Sequence, residues 1–242
     1  MNVYLNSIDG IADAIVSMYM SKRSWTREKE IELRNLVCRI TNRYGFMNTN
    51  NYSERDLNEY NDIMSKLFKF GRRHFTMLRF IDFSVTVEGL HRGGTDDFDS
   101  HAKRLENRII RSSTRLASYS TDEISDYYKD KIVPTDIALA YLGIDTPNEI
   151  NYNGTTYVKG VNGYIVKGME NNNDVKRGLY MLALPMNFIF KVNLTEFAHI
   201  VKERDINSNA HPELKQMIED LYNQIHEQLP IVDKDYLYSI IN

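Results

Sequence analysis

Helical spacing dominates the first third of the chain. In TREKEIELRNLVCRI, Ile31, Leu36, Val37 and Ile40 fall on one stripe, Thr26 suits the N-cap and Gly45 marks a stop. The polar stretch NTNNYS at 48–53 reads as a loop. A second helix follows, with Leu57, Tyr60, Met64, Leu67 and Phe68 on one side and Gly71 after it. The period then drops to two. In FIDFSVTVE, Ile81, Phe83, Val85 and Val87 alternate with Asp82, Ser84, Thr86 and Glu88, the pattern of a half-buried strand. Gly93 and Gly94 read as a loop before a third helix over Asp99–Leu116, and two short helices follow in TDEISDYYKDKI and PTDIALAYLG. Residues 148–173 carry two Asn-Gly pairs among β-branched and aromatic residues, which signals hairpins inserted into a mostly helical chain. A helix is expected to end near Pro185, and NFIFKVN supplies a second core strand. Two helices close the sequence. Leu194, Phe197, Ala198 and Val201 form the stripe of the first; Leu214, Met217, Ile218, Leu221 and Ile225 form that of the second, which Pro212 opens with Asn209 or His211 near its cap.

The 242 residues are enough to bury a sizeable core, and 42% hydrophobic with 26% charged content is ordinary for a globular chain. A net charge of −3 gives no global attraction to nucleic acid or to a membrane, so any anion site must be local. The single cysteine, Cys38, excludes an internal disulfide framework and a cysteine-rich zinc site. With no apolar run of membrane-spanning length and no leader pattern, a cytoplasmic protein is expected.

Candidate chemistry gathers in two places. Arg104, Arg108, Arg111 and Arg115 recur at intervals of four, three and four, and on the expected third helix they would line one side. A solvated basic face is the plain account. Stacked like charges cost a few tenths of a kcal/mol per pair, however, and Glu106 is the only acid between Lys103 and Leu116. A phosphate-bearing ligand, or acids from another subunit, would account for the row better. Asp96, Asp97, Asp99 and His101 could suggest a metal, but acids at a helix N-terminus complement its dipole, and no metal is expected. Near the C-terminus, His199, Arg204 and Asn209 gather around a helix junction that the apolar stripes leave without a role. No phosphate loop, dinucleotide fingerprint or nucleophile elbow is present.

The order of parts resembles the flavin-dependent thymidylate synthase family. ALPMN, a strand, and then VNLTEFAHIVKERDINSNAHPEL are similar to that family's LPxN, strand, NARxLxxF, Arg and HAQWEI, with Asn193 at the Asn and Arg204 at the Arg. HFTMLRFIDFSVTVEG resembles the family's strand entry, His74 and Thr76 matching its first His and its hydroxyl. The basic segment stands where the signature RHRxxSxNExSxRY belongs: Ser113 and Arg115 match S-x-R. Lys103, Arg104 and Leu105 sit at R-H-R, and Arg111 replaces the Glu. Leu116 stands at the Tyr, Thr195 at the Arg of NAR, and Met181 before LP, with Arg177 one turn earlier. The resemblance covers roughly residues 70–116 and 175–230. It implies an α+β fold, an antiparallel sheet flanked by helices, as a single domain over 1–242 with a β insertion near 148–173. It also implies a homotetramer with sites between subunits, binding FAD, using NADPH, and moving a one-carbon unit from methylenetetrahydrofolate to dUMP. Arg204 would be catalytic, set against the pyrimidine. Ser113, Arg115, Arg111 and Arg177 would bind substrate, and His74, Thr76, Arg104, Asn193, His199 and Asn209 would bind FAD. The reversed charge at Arg111 leaves a second reading open, a relative that binds FAD or a pyrimidine nucleotide but acts on another substrate or lacks synthase activity.

Overall fold

The structure is a computed structural model; it describes residues 1–48, 52–99, 108–113, 123–160, 162–176, 179–204 and 208–241. The fold is α+β, with an antiparallel sheet and flanking helices. Four strands, β1 (Asn2–Asp9), β2 (Asp82–His91), β3 (Arg108–Arg111) and β7 (Pro185–Asn193), form one sheet in the order β1-β2-β7-β3. Three more, β4 (Glu149–Tyr152), β5 (Thr155–Gly160) and β6 (Gly163–Val166), form a second antiparallel sheet in sequence order. The chain divides into two compact units, one of Met1, Glu88–Ser100 and Ile110–Phe188, the other of Asn2–Val87, His101–Ile109 and Ile189–Asn242.

The second unit holds the larger core. Helix α1 (Ile11–Ser21) follows β1 through Gly10, whose φ of +76° only glycine adopts without strain; a Cβ there would lie 1.8 Å from the Phe80 carbonyl oxygen. Helix α2 (Arg27–Ile40) starts where expected, with the Thr26 hydroxyl accepting from the Lys29 N–H. Its buried face is Leu33, Leu36, Val37 and Ile40, while Ile31 is exposed. Gly45 is not the stop. The helix ends at Ile40, and Gly45, at φ +78°, closes a turn against the Ile8 carbonyl. Helix α3 (Glu54–Gly71) is capped by Ser53, which accepts from the Asp56 N–H, and includes Gly71 as its buried last residue. The alternation in β2 holds, with Ile81 just before it and Phe83, Val85 and Val87 fully buried. Helix α7 (Leu194–Arg204), α8 (Pro212–Gln228) and α9 (Lys234–Ser239) complete the layer. Phe83 packs edge-on against Phe197 at 5.5 Å, and Phe68 against Tyr236 at 5.1 Å, with the Tyr236 hydroxyl donating to the Phe68 carbonyl.

The first unit departs most from the sequence pattern. Gly93 and Gly94 lie inside a helix, α4 (Arg92–Asp99), not in a loop. A Cβ at Gly94 would come within 2.5 Å of the buried His91 ring. The expected helix over Asp99–Leu116 is overturned at Arg108–Arg111, which is strand β3. Ile109 and Ile110 are β-branched and suit a strand. Arg108 and Arg111 therefore do not share a helix side. Asp96, Asp97 and Asp99 occupy the C-terminal half of α4, so complementing its N-terminal dipole does not explain them. Before Pro185 the expected helix shrinks to the single turn α6 (Asn173–Lys176). Helix α5 (Thr135–Tyr141) and a 3-10 turn at Asp126–Tyr128 match the two short helices. The hairpin signal holds. Asn153 and Gly154, with φ of +51° and +77°, make the left-handed turn between β4 and β5, and Asn162, at +57°, stands in the next turn.

Candidate active site

Asn187 organises the site in the first unit. Its backbone N–H donates to the Ser112 hydroxyl at 3.2 Å, its carbonyl accepts from the Ser112 N–H at 2.8 Å, and its side-chain oxygen accepts from the Gly89 N–H at 3.0 Å. This one residue of ALPMN thus ties the end of β3 to β7 and β2. On the other side, Arg92 N–H donates to Leu184 and Gly93 N–H to Leu182, which fixes the start of α4. Between them lies a pocket of about 220 Å³ lined by Arg92, Thr95, Asp96, Arg111, Ser112, Ser113 and Met186. Thr95 is buried and its hydroxyl donates to the His91 carbonyl, so it shapes the wall rather than offering its proton.

The pocket is a cationic pair bridged by a carboxylate. Arg111 hydrogen-bonds Asp96 and stands 3.8 Å from Asp99, while Arg92 Nε is 3.9 Å from the other Asp96 oxygen. The Arg111 side chain is 41% exposed and Asp96 44%, so these are surface-grade ion pairs that a more highly charged anion can displace. Two guanidiniums, two serine hydroxyls and the N-terminal half of a strand–helix corner suit a phosphate, which accepts bidentate guanidinium contacts and hydroxyl donors together.

Of the residues singled out in the sequence, Arg111 and Ser113 are brought together here. Arg92, Ser112 and Asn187 complete the site and were not singled out. Arg92 opens α4 and meets Arg111 through their shared partner Asp96, while the pairing of Ser112 with Asn187 fixes the end of β3 beside them. Arg104, Arg115 and Arg177 lie outside the described residues. In the second unit, Asn193 is buried at the point where β7 becomes α7. Its side-chain oxygen accepts from the Thr195 N–H at 3.0 Å, the Thr195 hydroxyl at 2.6 Å and the Glu196 N–H at 3.0 Å, so that oxygen is committed to capping the helix. His199 and Arg204, both half-buried, sit five residues apart on α7 and therefore point to different sides. Asn209 is exposed ahead of α8, where His211 is the cap, its Nδ1 accepting from the Glu213 N–H. His74 and Thr76 are exposed at the 3-10 turn Phe75–Phe80, with the His74 ring 4.5 Å from Phe70 and with Phe75 and Phe80 about half exposed. Among the described residues no helix is long and apolar enough to cross a membrane.

Comparison with known proteins follows the same lines. The family model described as thymidylate synthase complementing protein matches residues 14–231. The fold is similar to the crystal structure of thymidylate synthase X from Helicobacter pylori with FAD and dUMP: 11% identity, TM-score 0.55, covering 98% of this chain and 99% of that one. It is similar in the same degree to a UMP/dUMP methylase, PolB, from Streptomyces cacaoi bound with 5-Br dUMP: 10% identity, TM-score 0.55, covering 98% of this chain and 94% of that one. No curated protein sequence matches. With nearly the whole chain matched by the family model, this protein belongs to the thymidylate synthase complementing protein family.

Proposed function

We propose that the protein methylates the pyrimidine ring of a uridine monophosphate, dUMP or UMP, in a flavin-dependent reaction that uses methylenetetrahydrofolate and NADPH. One observation carries this reading: Arg111 and Ser113, which the family signature aligns with substrate-binding positions, meet Arg92 and Ser112 in a single phosphate-sized pocket. The relatives of like fold bind FAD and dUMP, or 5-Br dUMP, which supports the same nucleotide class.

In this scheme the phosphate enters between Arg92 and Arg111 and takes over the contacts Asp96 now makes. Ser112 and Ser113 donate to its remaining oxygens, and Asn187 holds Ser112 in place. The reversed charge at Arg111, which argued for a relative of different activity, is offset locally because Asp96 and Asp99 meet it. Arg204 is assigned to the pyrimidine, where a cation favours the negative charge that develops as C5 attacks. Arg115 and Arg177 are assigned to the substrate as well.

FAD fits the chemistry of the surface around His74 and Thr76. There a hydroxyl and an imidazole stand exposed beside the half-exposed rings of Phe75 and Phe80, a mixture suited to a flat, partly apolar ring system with polar edges. His199 and Asn209 offer further donors, and Arg104 a cation. Asn193 contributes at most its amide N–H, since its oxygen is spent on the helix cap. When bound, FAD would supply the hydride that completes the methyl group. A homotetramer with the sites between subunits, as a single domain over 1–242 in a cytoplasmic setting, is part of the same proposal.

The test is release of label from C5 of dUMP or UMP in the presence of FAD, NADPH and methylenetetrahydrofolate. Label release from either nucleotide supports the reading. A protein that takes up no added FAD and binds neither nucleotide refutes it.

A further inference from the structure

The second unit holds a cleft that shares no residue with those assigned to the nucleotide or the flavin. It opens between the first half of α3 and the segment that leaves α8, and its volume is about 480 Å³. Small-molecule sites run from roughly 300 to 1,000 Å³. Leu57, Tyr60 and Met64 recur at intervals of three and four, so one stripe of α3 faces the cleft, and Leu229, Pro230 and Ile231 supply more of its wall. The Met47 N–H donates to the Gln228 side-chain oxygen at 3.2 Å, which ties the loop after α2 to the end of α8 at this place.

Two groups in the cleft have no work in the fold. Tyr60 is 3% exposed, and its hydroxyl has no hydrogen-bond partner among the described residues. A buried hydroxyl without a partner is a cost that a phenylalanine of the same shape would not carry. Burial holds the phenol above its ordinary pKa, so it keeps its proton and both donates and accepts. Glu227 is exposed, is the one charged residue lining the cleft, and forms no ion pair among the described residues. A solvated surface acid would account for Glu227 alone. It does not account for Tyr60. The nucleotide, folate and flavin of the proposed reaction are all anionic, and a cleft whose sole charge is negative disfavours them. An apolar wall with tyrosine rings and one carboxylate suits an aromatic cation instead.

We propose that this cleft binds a small aromatic amine, its ring among Tyr60, Met64 and Leu229, a ring N–H on the Tyr60 hydroxyl and its ammonium toward Glu227. The hydroxyl is closed off from solvent, so the ligand reaches it as the unbranched side chains of Met47 and Met64, the most adaptable of apolar ones, give way. The site does not depend on the methylation reading.

The probe is tryptamine, titrated calorimetrically into the full chain. Indole-3-acetate carries the same ring with the opposite charge, and the variants are Tyr60→Phe and Glu227→Gln. Tryptamine should bind the parent about two- to tenfold more tightly than indole-3-acetate, an exposed carboxylate attracting one and repelling the other. Glu227→Gln should remove that preference. Tyr60→Phe should weaken tryptamine by about 2- to 10-fold, the worth of one hydrogen bond. It should not lower the melting temperature, because the hydroxyl it removes has no partner in the free protein. All three proteins should bind dUMP alike. The proposal is overturned if tryptamine does not bind, if the two probes bind equally, or if Tyr60→Phe binds tryptamine as the parent does. A lowered melting temperature in Tyr60→Phe also overturns it, by giving the hydroxyl a structural role, as does loss of dUMP affinity in either variant, which would make the cleft part of the nucleotide site.

Discussion

Asp96 and Arg111 form one ion pair, yet substitutions of the two should move nucleotide affinity in opposite directions. If a phosphate takes the guanidinium, Asp96 is its competitor. The pair is roughly half solvent-exposed, which places it among surface ion pairs worth about 0.2–1 kcal/mol. Asp96→Asn removes that competition while keeping the side chain's size. dUMP should then bind about 1.4- to 5-fold more tightly at low salt, since about 1.4 kcal/mol is a factor of ten. Arg111→Gln removes a charge-assisted contact to the phosphate worth about 1.5–3 kcal/mol, a loss of roughly 10- to 150-fold. Deoxyuridine, which lacks the phosphate, should bind both variants as it binds the parent. Calorimetric titration of dUMP and deoxyuridine into the three proteins measures all of this. Repeating it near 0.15 M salt, where screening reaches within about 8 Å, should shrink the Asp96→Asn gain first. The reasoning fails if both variants weaken dUMP to a similar extent, or if deoxyuridine loses as much as dUMP; either result would make the pair a structural clip rather than part of a binding site.

Three further outcomes test the fold. Gly10→Ala should be far more destabilising than Gly154→Ala: both have left-handed φ, costing about 1–2 kcal/mol, but only Gly10 would also drive a Cβ to 1.8 Å from a backbone oxygen, while Gly154 faces open space. Comparable urea midpoints for the two would contradict this. Asn193→Ala should destabilise by about 1 kcal/mol or more through loss of the α7 cap, with Asn193→Ser recovering part of it; unchanged melting of the alanine variant would remove the capping role. Glu30 is held below the usual carboxylate range chiefly by its hydrogen bond from Arg34, with Arg27 and Trp25 adding to it. Its folded pKa is depressed, so the contribution is present above the unfolded value near about 4.3 and is lost as pH falls through the folded one. The stability difference between the parent and Arg34→Met should therefore be largest at neutral pH and close on acidification, as read from melting temperature against pH; a gap that widens in acid would contradict the assignment.

The parts of the fold legible in the sequence are those where one local signal decides. Thr26 announces a helix start because its hydroxyl caps it, the alternation of Phe83, Val85 and Val87 is a strand's, and Asn153–Gly154 is a hairpin turn on backbone grounds alone. Arg108–Arg111 misled because arginine spacing imitates a helix period while carrying no burial information, and the neighbouring Ile109 and Ile110 held the better clue. β1 and α1 went unread, since only Ile8 is buried in that strand and its remaining positions are partly or fully exposed. The candidate site was half legible. Family resemblance reached Arg111 and Ser113, whereas Arg92 meets Arg111 through Asp96, and the end of β3 is set beside them by the Ser112–Asn187 pairing, a contact 75 residues apart in sequence.

Strand β7 passes into helix α7 with no intervening loop, and Asn193 clamps the joint with three hydrogen bonds. Strand and helix therefore behave as a crank with a stiff elbow. Arg204 is the last residue of this eleven-residue helix, about 16 Å from the elbow at 1.5 Å per residue. A tilt of about 5° at the elbow would swing that guanidinium by about 1.4 Å, and misplacement of about 1 Å can cost a hundredfold in rate. Under the role proposed for Arg204, substitution of the cap partner Thr195 would thus tune turnover through the angle of this joint rather than at the reacting ring.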